Sequence, residues 1–211
     1  GQLLVSPLFN GICGSDLHFR NRAIAAEADT PEDLRDQLPR VVPGHEFSAI
    51  VKEIGPETST DLRPGYRIAG LPFTHCAKGF EVIGLSPTRS GGLSTLCLID
   101  AERAFRVPDA VPSELAALTE PLAVGLHAAH LANRNTGPNL VIGCGPVGLA
   151  VIAALLRQGK RPIIAADFSA RRRAAAEALG CDIIIDPAQE SAFERWDDLG
   201  FTASAASPLL E

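Results

Sequence analysis

The sequence predicts two folds in succession, an irregular β domain followed by the first half of a doubly wound parallel α/β sheet. Up to about residue 112, the chain consists of short strand-like runs between turns rich in Gly and Pro. From Pro138 onward, strand-like and helix-like segments alternate, which is typical of a parallel sheet covered by helices. We place the domain boundary after residue 121, which gives domains of residues 1–121 and 122–211.

Three segments bounded by Gly or Pro are predicted to be strands of the first domain: Phe47–Ile54, Gly65–Ala69 and Leu93–Ile99. The segment Arg20–Arg40 differs, because it is charged and contains several Ala residues. Within it, Thr30–Asp33 resembles a helix start with Pro and acidic residues in the first turn. We therefore predict a solvated helix there. Ser113–Asn133 is helical in composition, but Pro121 favours a second helix that starts at that residue.

The second domain is predicted to contain three strands and two helices. The strands are Leu140–Ile142, Arg161–Asp167 and Cys181–Asp186, and the helices are Pro146–Gln158 and Ser169–Leu179. Continuous apolar runs such as Ile183–Ile185 suit parallel strands that are buried on both faces. Three strands make half of a full dinucleotide-binding fold. After Pro187 the sequence is typical of a loop, and Thr202–Ser207 carries little structural signal.

Composition excludes several functional classes. The chain of 211 residues has a net charge of -6, which gives no reason to expect nucleic acid or an anionic membrane as a partner. No apolar run approaches the roughly 18 residues of a membrane span, and we see no basic-then-apolar leader. We therefore expect a cytoplasmic protein. The five cysteines are odd in number and irregularly spaced, so they do not suggest a disulfide scaffold.

A glycine-rich turn provides the strongest signal for a ligand. The run Gly143-Cys144-Gly145-Pro146-Val147-Gly148 follows an apolar strand and opens a helix, and Asp167 ends the next strand 24 positions after Gly143. In such a turn the first glycine permits the sharp bend. The second, Gly145, lets the backbone reach a pyrophosphate, and the third, Gly148, allows close packing of helix on strand. The helix N-terminus adds free N–H groups for the phosphates.

The acidic residue after the second strand bears on the choice of dinucleotide. Asp167 would accept hydrogen bonds from the ribose hydroxyls of the adenosine, which favours NAD over NADP. Arg171, Arg172 and Arg173 follow closely and could instead accommodate a 2′-phosphate, or they could form a solvated helical turn. NADP is therefore the alternative.

A second set of residues combines ligand types that suit zinc. Cys13 and His45 can each supply one ligand, and Glu46 can supply a third. Glu120, just before Pro121, is a further candidate oxygen. These residues leave open whether Glu46 or Glu120 is the third ligand. Catalytic zinc sites usually keep three protein ligands and one open position for the substrate.

A route for a proton lies beside the first candidate ligand. Ser15 and His18 follow Cys13 by two and five positions. A hydroxyl and an imidazole can pass an alcohol proton outward, so the candidate catalytic residues are Ser15, His18 and Glu46. Seven other residues are predicted to be structural: His75, Cys76, His127, His130, Cys97, Cys144 and Cys181.

Together these motifs resemble the zinc-dependent medium-chain alcohol dehydrogenases, in particular their sorbitol dehydrogenase-like branch. The matching runs are Gly11–His18, Gly44–Phe47, Glu120–Val124 and Val141–Gly148, in that order along the chain. The resemblance implies an N-terminal GroES-like β domain that carries catalytic zinc. It also implies a Rossmann domain that binds NAD or, as the alternative, NADP.

The resemblance also implies a role for each matching residue. Cys13, His45 and either Glu46 or Glu120 would form the zinc site, with Ser15 and His18 as the proton relay. In the Rossmann domain, Asp167 would accept the ribose hydroxyls and Arg172 would make a further contact on the adenosine side.

The chain departs from the family pattern in two respects. Between Arg67 and Gly91 it has only Cys76, whereas many relatives carry four closely spaced cysteines there, so we expect no structural zinc. The chain is also shorter than the family's, contains no Met and starts with Gly1 at the edge of a strand-like run. We therefore expect it to be truncated at both ends, with a homodimer or homotetramer built by the unseen part.

The resulting hypothesis is a zinc-dependent oxidoreductase that transfers a hydride between an alcohol or polyol and NAD, with a small alcohol or carbonyl as substrate. Two alternatives remain. One is a zinc-free quinone or enoyl reductase of the same superfamily, and the other is a truncated nucleotide-binding protein without activity.

Overall fold

The structure, a computed structural model, describes residues 1–76, 79–132 and 137–192. The chain divides into two compact units, Gly1–Glu120 and Pro121–Glu211. The sequence-based expectation for Thr202–Ser207 lies outside the described residues, as does Asn133 at the end of one predicted helix. None of the helices in the described parts combines the length and the apolar character needed to cross a lipid bilayer.

In its described residues, the first unit contains seven strands: β1 (Gln2–Asn10), β2 (Phe47–Ile54), β3 (Arg67–Gly70), β4 (Phe73–Cys76), β5 (Gly79–Val82), β6 (Cys97–Asp100) and β7 (Ala104–Arg106). Five of them form one sheet in the order β6–β1–β2–β3–β7, in which all neighbours are antiparallel. Strands β4 and β5 form a separate hairpin. The first unit is therefore a β domain, as the sequence predicts.

Alternating burial explains the main sheet. Leu3 and Val5 on β1 are fully buried, and on β2 Ala49 and Val51 lie in the same hydrophobic cluster. The strand predicted at Phe47–Ile54 is confirmed with the same bounds. The strand predicted from Leu93 begins only at Cys97, because the Ser94 hydroxyl donates to the carbonyls of residues 91 and 96 and holds a turn.

The first helix of this unit does not lie where the sequence predicts it. Helix α1 spans Gly14–Asp29, and a 3-10 helix follows at Glu32–Gln37. Cys13 takes the N-cap position of α1, and Asp16 accepts a hydrogen bond from its backbone N–H. The α-helix ends before Pro31, since the residue before a proline disfavours helical geometry. The single helix predicted at Arg20–Arg40 is therefore wrong in both its start and its continuity.

Two further helices follow the sheet. These are α2 (Ser113–Ala116) and α3 (Thr119–Leu131), and a 3-10 turn at Ala101–Arg103 precedes β7. The predicted division of the helical region is confirmed, although α3 begins two residues before Pro121. The proline thus lies in the first turn, where its missing N–H leaves no helical bond unmade.

The second unit alternates strands and helices. Its elements are β8 (Asn139–Ile142), α4 (Pro146–Arg157), β9 (Ile163–Ala166), α5 (Ala170–Leu179) and β10 (Ile183–Ile185). The strands form a parallel sheet in the order β10–β9–β8. All four residues of β9 are buried, as expected for a central strand covered on both faces. The predicted fold class, a β domain followed by the first part of a parallel α/β sheet, is confirmed.

Candidate metal and dinucleotide sites

Three of the predicted zinc ligands lie together in the first unit. Cys13 caps α1, while His45 and Glu46 immediately precede β2. The thiol sulfur, an imidazole nitrogen and a carboxylate oxygen all lie within 4.8 Å of one another. His45 and Glu46 are buried and Cys13 is half-buried. Because zinc accepts sulfur, nitrogen and oxygen ligands in this number at open sites, the donor set fits a zinc ion.

Asp16 joins the two segments that carry these ligands. Its Oδ2 accepts a hydrogen bond from the Cys13 backbone N–H at 2.9 Å, and its Oδ1 accepts one from the Gly44 N–H at 3.3 Å. The same Oδ1 lies 3.3 Å from Nδ1 of His45. That contact is outside hydrogen-bond geometry, so Nδ1 has no hydrogen-bond partner in the described part of the chain. The carboxylate is only 5% exposed.

Asp16 is a residue of this site that the sequence-based predictions did not include, although the sequence holds a signal for it. A carboxylate three residues after a helix N-cap marks a capping arrangement, and Asp16 stands three residues after Cys13. The arrangement places a carboxylate beside the ring of a candidate metal ligand. Such outer partners orient ligating histidines and strengthen metal binding.

The structure brings one of the two predicted relay residues to this cluster. The Ser15 hydroxyl lies 3.4 Å from Nε2 of His45. His18 lies three residues further along α1 and is exposed. The two relay residues therefore occupy neighbouring turns of one helix, the first at the cluster and the second in contact with solvent.

Glu120 lies close enough to the cluster to interact with it electrostatically. Burial raises the pKa of the Glu120 carboxyl, His45 lowers it and Glu46 raises it further. Among the described residues, the group of ligand atoms within 4.8 Å contains Glu46 and does not contain Glu120. The geometry thus favours Glu46 as the third ligand and Glu120 as a nearby acid.

A second cluster of possible ligand atoms consists of His75, Asp100 and Glu102. The carboxylate of Asp100 already accepts hydrogen bonds from three residues, Gln2, Thr74 and His75. The Arg103 guanidinium lies 3.4 Å from Glu102 and 3.9 Å from Asp100. Because these carboxylates already contact an arginine and other polar groups, we interpret the cluster as a structural ion-pair network.

Three cysteines outside the ligand cluster, Cys97, Cys144 and Cys181, are poorly suited to nucleophilic chemistry. Burial raises the pKa of Cys97 to about 12 and that of Cys181 to about 11, and it also raises the pKa of Cys144. A thiolate is the reactive form of cysteine, so a raised pKa disfavours nucleophilic roles. His127 and His130 are exposed on α3.

In the second unit, the glycine-rich turn has the geometry that the sequence predicts. Gly143 has a φ of 93°, which strongly favours glycine. A Cβ atom on Gly148 would lie 1.9 Å from the Gly143 carbonyl oxygen, so helix α4 packs against the turn only because residue 148 lacks a side chain. A Cβ atom on Gly145 would meet nothing closer than the Arg172 guanidinium carbon, at 4.0 Å. The Gly145 backbone is therefore open to a ligand.

A cleft of about 410 Å³ lies in front of this turn. Its lining residues come from the turn and α4, namely Cys144, Gly145, Pro146 and Leu149, and from the first part of α5 with its N-cap, namely Ser169, Arg171, Arg172 and Ala175. The N-terminus of α4 and two arginine side chains thus line the same cavity. A helix N-terminus favours anionic ligands such as phosphates.

Asp167 connects the end of β9 to the glycine-rich turn. One of its carboxylate oxygens accepts a hydrogen bond from the Ser169 N–H at 2.7 Å, and the other accepts one from the Cys144 N–H at 2.8 Å. These two bonds, Ser169 first, lower the pKa of Asp167. The carboxylate is therefore ionised at neutral pH. Since each oxygen can accept two hydrogen bonds, acceptor capacity remains for a ligand.

The three arginines of α5 are not equivalent. Arg171 and Arg172 line the cleft, and an Arg172 nitrogen lies 3.7 Å from the Asp167 carboxylate. Arg173 instead donates to the carbonyls of residues 167 and 168 and pairs with Asp186. Arg173 is thus engaged within the fold, whereas Arg171 and Arg172 are the two arginines that line the cleft.

Comparison with known proteins identifies the family to which this chain belongs. Residues 1–109 match the family described as the alcohol dehydrogenase GroES-like domain. The (R,R)-butanediol dehydrogenase of Bacillus subtilis is 36% identical over 200 residues, covering 90% of this chain and 57% of that protein. Sorbitol dehydrogenase of Ovis aries is 34% identical over 194 residues, covering 86% and 52%.

Among solved structures, a protein described as a putative zinc-binding dehydrogenase, from Sinorhizobium meliloti and bound to NADP, superposes with a TM-score of 0.77 at 28% identity. The match covers 98% of this chain and 58% of that one. The chain belongs to the zinc-type medium-chain alcohol dehydrogenase family, with a GroES-like domain followed by part of a Rossmann-type domain. It spans a little over half the length of these relatives.

Proposed function

We propose that the protein is a zinc-dependent dehydrogenase that oxidises a secondary alcohol or polyol to a carbonyl compound with NAD, and that also catalyses the reverse reduction. The observation that carries the proposal is the group of Cys13, His45 and Glu46, whose ligand atoms lie within 4.8 Å of one another. Relatives named for butanediol and sorbitol support a substrate with hydroxyl groups on a carbon chain.

Each site residue of the first unit has a distinct role in this proposal. Cys13, His45 and Glu46 would hold the metal, and Asp16 would fix both ligand-bearing segments through its backbone hydrogen bonds. Zinc, when bound, would act as a Lewis acid toward the substrate oxygen, and NAD, when bound, would accept the hydride. Oxidation also releases the hydroxyl proton. Ser15 would accept it, and His18 would pass it to solvent.

The second unit would bind the dinucleotide. The open backbone at Gly145 and the N-terminus of α4 would bind the pyrophosphate. Asp167, ionised and fixed by two backbone N–H groups, would accept hydrogen bonds from the ribose hydroxyls and repel a 2′-phosphate. Arg171 and Arg172, which also line the cleft, support the alternative, NADP. We favour NAD because the carboxylate is held in place by hydrogen bonds.

The test measures the zinc content of the purified full-length protein, together with its turnover on a panel of alcohols and polyols. We expect about one zinc per chain. The double variant Cys13→Ala with His45→Ala should lose both zinc and turnover, because two of three ligands are gone. A matched control, Cys76→Ala with His75→Ala, also removes one cysteine and one histidine but should keep the metal.

Two outcomes would contradict the proposal. A protein that reduces quinones or enoyl compounds without zinc would be a zinc-free reductase of the same superfamily. A protein that binds the nucleotide but turns over no alcohol or carbonyl compound would be a binding protein.

A further inference from the structure

We propose that Arg173 is a positioning residue for Asp167, and that through Asp167 it sets the preference for NAD over NADP. This inference rests on the proposed function, in which Asp167 binds the ribose of the adenosine. Arg173 itself lies outside the residues that line the cleft. Its effect on the nucleotide is therefore indirect.

The side chain of Arg173 binds the segment that carries Asp167. One guanidinium nitrogen donates to the backbone carbonyl of Asp167 at 2.8 Å and to that of Phe168 at 2.9 Å. The other terminal nitrogen lies 2.9 Å from Oδ2 of Asp186. The two charged side chains are only 18% and 19% exposed. Short charge-assisted contacts of a planar guanidinium restrict its partners in direction as well as in distance.

These contacts join the carboxyl ends of two neighbouring parallel strands. Asp167 directly follows β9, and Asp186 directly follows β10. Asp186 is itself held, since it accepts hydrogen bonds from the Ala188 N–H at 3.1 Å and from the Gln189 side chain at 3.2 Å. Arg173 therefore anchors the loop after β9 to a fixed point on the adjacent strand end.

The loop that bears Asp167 is thus held from two sides. Backbone N–H groups of Cys144 and Ser169 hold the carboxylate, and Arg173 holds the carbonyls of residues 167 and 168. Recognition of a ribose diol needs its acceptor placed to within roughly 0.5 Å, which requires such a supporting shell. Loss of Arg173 would free the two peptide groups and let the carboxylate shift.

The charges on this side of the fold support the same assignment. Asp186 balances the positive charge of Arg173, so Arg173 offers little attraction to a 2′-phosphate. Arg172, in contrast, is exposed and lies beside the cleft. Removing Arg173 should therefore lower the affinity for NAD. It should not disturb Arg171 and Arg172, the two arginines that could contact the 2′-phosphate of NADP.

The test compares Arg173→Met with Arg161→Met. Arg161 makes the same kinds of contact at the opposite end of the same strands, because it pairs with Asp182 and donates to the Gly180 carbonyl. Dissociation constants for NAD and NADP are measured by titration, and stability by urea unfolding. We expect Arg173→Met to bind NAD about tenfold more weakly, with a smaller change for NADP. Arg161→Met should keep both affinities within about twofold while losing stability.

Two conservative variants keep the test decisive if Arg173→Met does not fold. Arg173→Lys retains the charge but not the planar guanidinium that spans two carbonyls and Asp186, so it should restore only part of the preference for NAD. Asp186→Asn removes the fixed charge but keeps an acceptor, so it should lower the preference less than Arg173→Met does.

The outcomes separate this inference from the proposed function. If Asp167→Asn abolishes a measured NAD preference but Arg173→Met and Asp186→Asn leave it unchanged, Arg173 is only structural and the inference fails alone. If the unmodified protein has no NAD preference, or Asp167→Asn leaves it intact, the proposed role of Asp167 fails and the inference fails with it. The inference is supported if the preference for NAD over NADP falls in Arg173→Met but not in Arg161→Met.

Discussion

The candidate metal cluster and the glycine-rich turn differ in how the sequence builds them. The cluster is made of side chains from two segments far apart in the chain, and Asp16 connects those segments by hydrogen bonds. The turn is made mainly of backbone from one continuous run, residues 143–148. A site made of contiguous backbone depends on positions where the side chain must be absent or small. A site of distant side chains depends on residues that hold its parts together.

The largest effect should come from the residue that connects the cluster to proton transfer. Ser15→Ala should lower turnover by about 10²- to 10⁴-fold, because its hydroxyl would accept the alcohol proton. Zinc content and NAD affinity should stay unchanged, which separates this loss from a structural defect. Ser86→Ala, on an exposed turn, serves as the control and should turn over normally. Steady-state rates that match the unmodified protein at every pH would remove Ser15 from the mechanism.

A steric test applies to the contiguous site. Gly148→Ala would place a Cβ atom 1.9 Å from a backbone carbonyl, so it should destabilise the fold by about 1–3 kcal/mol and abolish NAD binding. Gly145→Ala is the matched variant, since its Cβ has space. It should leave stability intact but block close approach of the pyrophosphate. Urea unfolding and nucleotide titration check both. A stable Gly148→Ala that binds NAD would contradict the described packing.

The distributed site should depend on its connector. Asp16→Ala removes the acceptor of two backbone hydrogen bonds, and zinc affinity should fall by about 10- to 100-fold, as measured by competition with a chelator. Asp36→Ala, which removes an exposed carboxylate, should leave the zinc affinity unchanged. Equal zinc affinity in the two variants would show that the cluster is held without Asp16.

A smaller effect concerns pH. The Ser169 and Cys144 N–H groups lower the folded-state pKa of Asp167, so its ionised form stabilises the native state. That contribution is complete above the ordinary aspartate pKa of about 3.9 and is lost as the pH falls through the lowered folded value. Asp167→Asn should therefore lose less stability than the unmodified protein on acidification through this range. Urea midpoints from pH 7 to pH 3 measure it, with Asp109→Asn as an exposed control. Parallel profiles for Asp167→Asn and the unmodified protein would contradict this account.

The sequence predicted the contiguous features well. The turn, its helix and the acid after β9 all lie where the pattern of glycines and apolar runs indicated, because local chain geometry determines them. It also identified the cluster of Cys13, His45 and Glu46.

The sequence missed two features, for different reasons. The start of α1 was misplaced because Cys13 acts as an N-cap, a role for which cysteine is not a typical residue. The contact of Arg173 with Asp186 was missed because Asp186 reaches Arg173 only after β10 pairs with β9. That contact does not follow from local composition.

The most direct test of the central claim is the coordination of zinc in the purified protein, measured by X-ray absorption at the zinc edge. A site formed by Cys13, His45 and Glu46 predicts a single sulfur neighbour at about 2.3 Å, with the remaining neighbours nitrogen or oxygen at about 2.0–2.2 Å. The sulfur signal should disappear in Cys13→Ser reconstituted with zinc. A spectrum with no sulfur neighbour, with several, or unchanged in Cys13→Ser would contradict the assignment.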